Sequence, residues 1–395
     1  MATVLTPASP RSAPRTISRD RARAREIAHA HPAPRGRDRF VDAVRAVATL
    51  GIVSVHWLMP EAAYDGHRLW VGNALGHGSA WILTWVLQVL PLLFFAAGAS
   101  AAYQHERVLG LRWLPVLGSR LRRVARPVVA FAGAWVVAIG VLLALGVPSQ
   151  AVFRLARMAP QLLWFLGVWV VLVALTPLLV RAWRRWGVAA LAVAVAAPLA
   201  VDLLRFDAGL HAAAWANVLL VWAVPYLAGI AYAERRDRLP SRGVLAGLAV
   251  LGIAGMVALV TFGPYPLSMI GMPGDAISNL APPTAPIVAQ SVAQVAVVLL
   301  VREAVVRWAQ GRGRALVDLL ARRSMTVYLW HLTAMFAVVG VVLLGLHQKL
   351  PVPWSADWWA SRPVWVGGFV LALVGLVRLF GRFEDRRQWR GSATA

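Results

Sequence analysis

Ten times along its 395 residues the chain runs apolar for about 18 to 25 residues, and this repetition decides what it can fold into. Each run is long enough to cross a bilayer as a helix, with its backbone donors and acceptors paired internally. With 59% hydrophobic and 14% charged residues and a mean hydropathy of +0.64, a water-soluble protein of this size could not bury so much apolar surface in one core. The expected class is therefore an all-α integral membrane protein with ten transmembrane helices. Their positions are 42–60, 76–104, 126–147, 160–180, 187–203, 213–233, 243–262, 285–304, 322–346 and 363–382. Pro91 lies inside the long second run and predicts a kink or break there.

Net charge of +23 resembles a nucleic-acid signature until its distribution is read. Of 40 Lys and Arg, only Arg68, Arg154, Arg157, Arg205, Lys349 and Arg362 fall in the segments on one side of the membrane. The remaining 34 fall on the other side, which the positive-inside rule places in the cytoplasm with both termini. The arginines lie in short loops and tails without a recognition motif, so no nucleic-acid partner is expected, and part of the surplus meets anionic lipid headgroups. Residues 1–40 carry nine Arg among Pro, Ala and Ser and no apolar core, which reads as a disordered basic cytoplasmic tail and not a secretory signal. The membrane domain is expected over 41–384, with a short cytoplasmic tail at 385–395. Absence of cysteine excludes disulfides, thiolate nucleophiles and cysteine metal sites.

Within the first span, RAVATLGIVSVHWL sets Arg45 and His56 eleven residues apart. Eleven helical steps turn ~1100°, about 20° past three turns, so both side chains share a face at ~16 Å axial separation. Charge and imidazole inside a membrane are costly unless they meet a cavity, a partner or a substrate. Neutral imidazole accepts a proton near pH 7 without large tuning, which makes His56 a candidate base; a packing histidine bonded to a neighbouring helix is the alternative. Asp42 and Arg45 open the same helix. No other ligand lies at suitable spacing, so no metal is expected.

SRLRRVARP brings Arg120, Arg122, Arg123 and Arg126 together just ahead of Pro127, at the expected entry of the third span. Topology alone accounts for arginines in such a loop. Four guanidinia at a helix N-terminus also suit a polyphosphorylated cytoplasmic ligand. In the ninth span, Tyr328 and His331 share a face at i, i+3, as a structural contact or as cavity-lining groups. The outer loop 262–286 is Pro-rich and lacks Lys and Arg. Its length exceeds that of a plain connector, and Asp275, Ser278 and Asn279 are its candidate polar contacts, though it could also be a stiff cap. No GxSxG elbow, Walker loop or GxGxxG is present.

Four stretches in order resemble acyltransferase family 3, the ten-span bacterial membrane acyltransferases, over about 38–384. They are Asp42, Arg45 and His56 in FVDAVRAVATLGIVSVH, then PLLFFAAGAS with Phe94, Phe95 and Gly98, then RLRRVARP, then SMTVYLWH. Ala97 stands where the family usually has Ser, and Met325 where it has Tyr. The loop PLSMIGMPGDAISNLAPPT looks like that of actinobacterial members. The resemblance implies transfer of an acyl group, often acetyl from acetyl-CoA, to a hydroxyl of a sugar, glycan, lipid or secreted small molecule, at the bacterial cytoplasmic membrane. It further implies CoA phosphates on Arg120, Arg122, Arg123 and Arg126, and Arg45 orienting the donor. His56 would act as base or acyl relay, and loop 262–286 would help bind the acceptor. A membrane transporter of a sugar, lipid or natural product is the competing class, since ten spans and a buried His suit proton coupling.

Overall fold

The computed structural model describes residues 38–108 and 113–385. The basic tail, apart from residues 38–40, and segment 386–395 lie outside the described residues. Helix α1 is Arg39–Leu58, and the antiparallel strands β1 (Pro60–Tyr64) and β2 (Leu69–Asn73) follow it as a hairpin. The second span is in two pieces, α2 (Ile82–Leu87) and α3 (Leu90–Arg107). Next come α4 (Trp113–Ala144), α5 (Ser149–Met158), α6 (Leu163–Trp186), α7 (Val188–Phe206), α8 (Asn217–Arg235) and α9 (Arg242–Phe262). After a long irregular segment come α10 (Ala285–Leu300), α11 (Arg302–Gln310), α12 (Arg314–Gly340) and α13 (Ala356–Phe380).

Among the described residues nine helical stretches are long and apolar enough to cross a membrane, or ten if α10 with α11, bent by 62°, counts as one span. The bundle presents apolar residues outward: Val129, Val136, Val250 and Leu371 are all largely exposed. Lipid accepts such faces, whereas in water they would form a large unsatisfied apolar surface.

Two expected boundaries move for identifiable reasons. α1 begins at Arg39, three residues early, because Arg39 pairs with Asp318 of α12 and Phe40 packs against Phe95 and Tyr232. α4 begins at Trp113, not near 126, so the arginine run lies inside the helix together with Pro127. Charges depressed hydropathy there without ending the helix; a proline within a helix removes one backbone hydrogen bond and leaves the rest in place.

The expected break at Pro91 is present: Gln88 ends α2 with a non-helical ψ of 87°, and Pro91 occupies the first turn of α3. At that position proline lacks only a donor that the first turn could not use. α3 then packs on α8 through two glycines. A Cβ at Gly98 would fall on the Tyr226 carbonyl oxygen, and one at Gly229 on the Phe95 carbonyl oxygen. Small residues let membrane helices meet backbone to backbone in this way. Phe94, beside this seam, stacks on Trp222 at 5.0 Å between ring centroids, so this motif of the sequence builds core.

Candidate active site

α1 and α12 bring His56 and His331 together: His331 Nε2 lies 3.1 Å from His56 Nδ1, although 275 residues separate them in sequence. The hydrogen bonds assign the tautomers. His331 Nδ1 sits 2.7 Å from the Tyr328 carbonyl, which can only accept, so the proton is on Nδ1 and Nε2 carries a lone pair. His56 Nδ1 then faces two acceptors, this lone pair and the Ile52 carbonyl at 2.9 Å. It must carry the proton and share it, which leaves His56 Nε2 as an unprotonated base.

His56 lines a cavity of about 440 Å³. The ends of α1, α2 and α12 form its walls, with the hairpin, α5 and the loop 263–284. Tyr328 also lines it, but its hydroxyl donates to the Leu162 carbonyl at 2.9 Å, so the ring forms wall and the oxygen is occupied. His331 is fully buried against His56 and is not part of the cavity wall, so of the two places expected for it the structure has the structural contact and not the lining position.

Three polar cavity groups, Gln88, Glu61 and Gln161, escaped the sequence reading. Gln88, at the break in the second span, is 3% exposed; its Oε1 accepts from the Leu90 N–H at 2.9 Å, and its Nε2 has no partner. An unpaired buried donor is unfavourable by about 1–3 kcal/mol, so such a group invites an explanation, and here it lies at a cavity beside a base. Glu61 reaches the cavity from β1 and meets His77 Nε2 at 3.0 Å through either oxygen. The pre-proline break marks Gln88 in the sequence. Asp65-Gly66 marks the hairpin that carries Glu61, with Gly66 at φ +96°, a conformation glycine adopts without strain.

Of the three expected loop contacts, only Ser278 lines the cavity. Asn279 is fully buried within the loop, where its Nδ2 donates to the carbonyls of Pro266 (2.7 Å) and Ser268 (2.8 Å) and its Oδ1 accepts from Thr284 (2.6 Å). It holds the loop in shape and is not available to a ligand. Asp275 is exposed and outside the cavity wall. Tyr265 ties the loop to α7 by donating to Asp202 at 3.0 Å. Burial first, and Asp202 second, push this hydroxyl above its ordinary value, so it remains a donor.

At the other end of α1, Arg45 donates to Ser100 Oγ at 2.6 Å and pairs with Asp42 at 3.5 Å. Arg120 approaches the same point, with Nε on Gln104 Oε1 at 2.7 Å and a terminal nitrogen 3.4 Å from the Ser100 carbonyl. Arg45 and Arg123 lie within electrostatic reach of it. The arginine cluster does not stand at a helix N-terminus as expected, and helical geometry divides it. Arg120 alone is half-buried, against α3, while Arg122, Arg123 and Arg126 are all exposed, with Arg123 at i, i+3 to both Arg120 and Arg126. The cationic focus is thus Arg45 with Arg120, against α3, and the exposed Arg123 lies within electrostatic reach of Arg120. Among the described residues no group of His, Asp or Glu is arranged to hold a metal ion.

Compared with known proteins, the chain matches one family model, described as an acyltransferase domain, over residues 38–380. No curated protein and no solved structure matches it.

Proposed function

Because this chain belongs to acyltransferase family 3, and is a membrane acyltransferase in place of the transporter its spans also suited, we propose that it moves an acyl group from cytoplasmic acyl-CoA, typically acetyl-CoA, to an acceptor hydroxyl held at His56. The observation that carries this reading is the polarity of α1. One end holds a cationic focus, and the other holds a cavity-lining imidazole whose Nδ1 is engaged within the bundle. The ~16 Å of helix between them is a span that the pantetheine arm of CoA can bridge.

In this mechanism Arg45, Arg120 and Arg123 hold the CoA phosphates at the cytoplasmic face. That placement rests on the positive-inside count, which also puts both termini there. His56 Nε2 removes the acceptor proton as the oxygen attacks the thioester carbonyl carbon. The Gln88 amide donates to the oxyanion that forms. The C–S bond then breaks, and the departing thiolate takes the proton from His56. His331 steadies the imidazolium between the two steps through its Nε2 lone pair. It is a positioning residue and touches no substrate.

The test is acetyl-CoA binding and acceptor-dependent CoA release by protein purified in detergent. His56→Ala is expected to bind acetyl-CoA and lose ~10²–10⁴-fold in turnover. Near-normal turnover of a folded His56→Ala protein refutes the base assignment. Failure of folded wild type to bind any acyl-CoA refutes the donor.

A further inference from the structure

The cavity that His56 lines is walled mainly by hydrocarbon. Ile52, Val55, Leu332, Met335, Phe336 and Leu343 represent walls whose polar exceptions are His56, Glu61, Gln88, Gln161, Ser278 and Tyr328. Of those, Tyr328 has spent its hydroxyl on the Leu162 carbonyl, and Ser278 Oγ accepts from the Leu280 N–H at 3.0 Å. Its volume of about 440 Å³ falls in the range of pockets that enclose drug-sized ligands. An acetyl group fills only a small part, since one water occupies about 30 Å³.

We propose that the acceptor is an alcohol with an apolar body, such as an aliphatic or polycyclic lipid-like alcohol, and that this cavity encloses the body while its hydroxyl rests on His56. The inference rests on the acyl-transfer reading above and adds the substrate class. The physical reason is the imbalance between hydroxyls and partners. A sugar entering these walls brings several hydroxyls, and each one stripped of water without a partner weakens binding roughly tenfold or more. An apolar body gains from the same walls in proportion to the area buried. Glu61, which also meets His77 at 3.0 Å, and Gln161 line the cavity and can each receive a further polar group, so one or two hydroxyls or an amine remote from the reacting one are compatible. The hairpin and loop 263–284 line the cavity at the end of α1.

The experiment uses the full chain in lipid nanodiscs with acetyl-CoA and reads CoA release against 1-decanol, farnesol, glucose and N-acetylglucosamine. The expected result is a kcat/KM for decanol or farnesol at least 100-fold above that for either sugar. Leu343→Trp, which fills part of the cavity, is expected to move the preference from decanol toward 1-butanol by at least tenfold. Turnover of the sugars with none of the alcohols overturns the inference and leaves acyl transfer standing. Faster transfer from octanoyl-CoA than from acetyl-CoA to glucose also overturns it, by giving the cavity to the acyl chain. No CoA release with any acceptor, by protein that binds no acyl-CoA, removes the acyl-transfer reading itself.

Discussion

Replacing His331 by Phe probes the histidine pair without touching substrate. In the resting state His56 Nδ1–H is shared between the Ile52 carbonyl and the His331 lone pair, so losing His331 leaves one acceptor and the same tautomer. The difference appears when His56 becomes imidazolium. A hydrogen bond to a charged group contributes about 1.5–3 kcal/mol, so removing one acceptor raises the barrier by about 2 kcal/mol, a fall in kcat of roughly 30-fold. That is less than the ~10²–10⁴-fold expected of the base itself. His331→Asn and His331→Gln separate support from packing. Asn can keep the bond to the Tyr328 carbonyl but cannot reach Nδ1 of His56, whereas Gln can place an acceptor close to the former Nε2. CoA release at saturating acetyl-CoA should therefore give Phe and Asn alike and Gln nearer to wild type, with acetyl-CoA affinity unchanged in all three. Equal rates for Asn and Gln refute the reasoning. A Phe variant as slow as His56→Ala would show that His331 is itself the base.

Gln88→Met keeps the length of the side chain without its donors, and Gln88→Glu keeps the acceptor for the Leu90 N–H; both are expected to lower kcat ~10²–10³-fold with little change in KM, as removal of an oxyanion donor does. Arg120→Met should weaken acetyl-CoA binding at least tenfold, while Arg122→Ala and Arg126→Ala, on the exposed face of α4, should leave it within about twofold; calorimetric titration distinguishes them, and equal losses would restore an undivided cluster. Gly98→Ala and Gly229→Ala force the α3–α8 seam apart and should each destabilise by about 1–3 kcal/mol, read as a lower midpoint in thermal unfolding in detergent; an unchanged midpoint would mean that the seam yields.

Hydropathy made the spans legible because a helix in lipid has to be long and apolar, and only the interrupted ones escaped. The start of α4 was hidden by the arginines it carries, and the bend between α10 and α11 sits where Arg302 and Glu303 end the apolar run. The axial arrangement of Arg45 and His56 follows from helix geometry within one element. The site did not follow, because it is assembled across elements. His331 meets His56 only through packing of α12 on α1, and Arg120 joins Arg45 only through α3. Asn279 and Ser278 are adjacent polar residues of one loop with opposite orientations, and sequence has no periodicity there to tell them apart.

The glycine seam between α3 and α8 has a consequence for timing. Two backbones in direct contact cannot slide or tilt without collision, so the pair behaves as a fixed ruler inside the bundle. Gln88 stands just before one end of α3, and Ser100 and Gln104, which receive the arginines, stand toward the other. The interval between the proposed oxyanion donor and the proposed CoA anchor is then set by covalent rise along a single rod. In the proposed mechanism, traffic of acceptor and product falls to the cavity walls outside that rod, the β1–β2 hairpin and loop 263–284. Chemistry and exchange are thereby given to different pieces of the chain, and a mutation in the hairpin can alter how fast substrates come and go without moving the atoms that react.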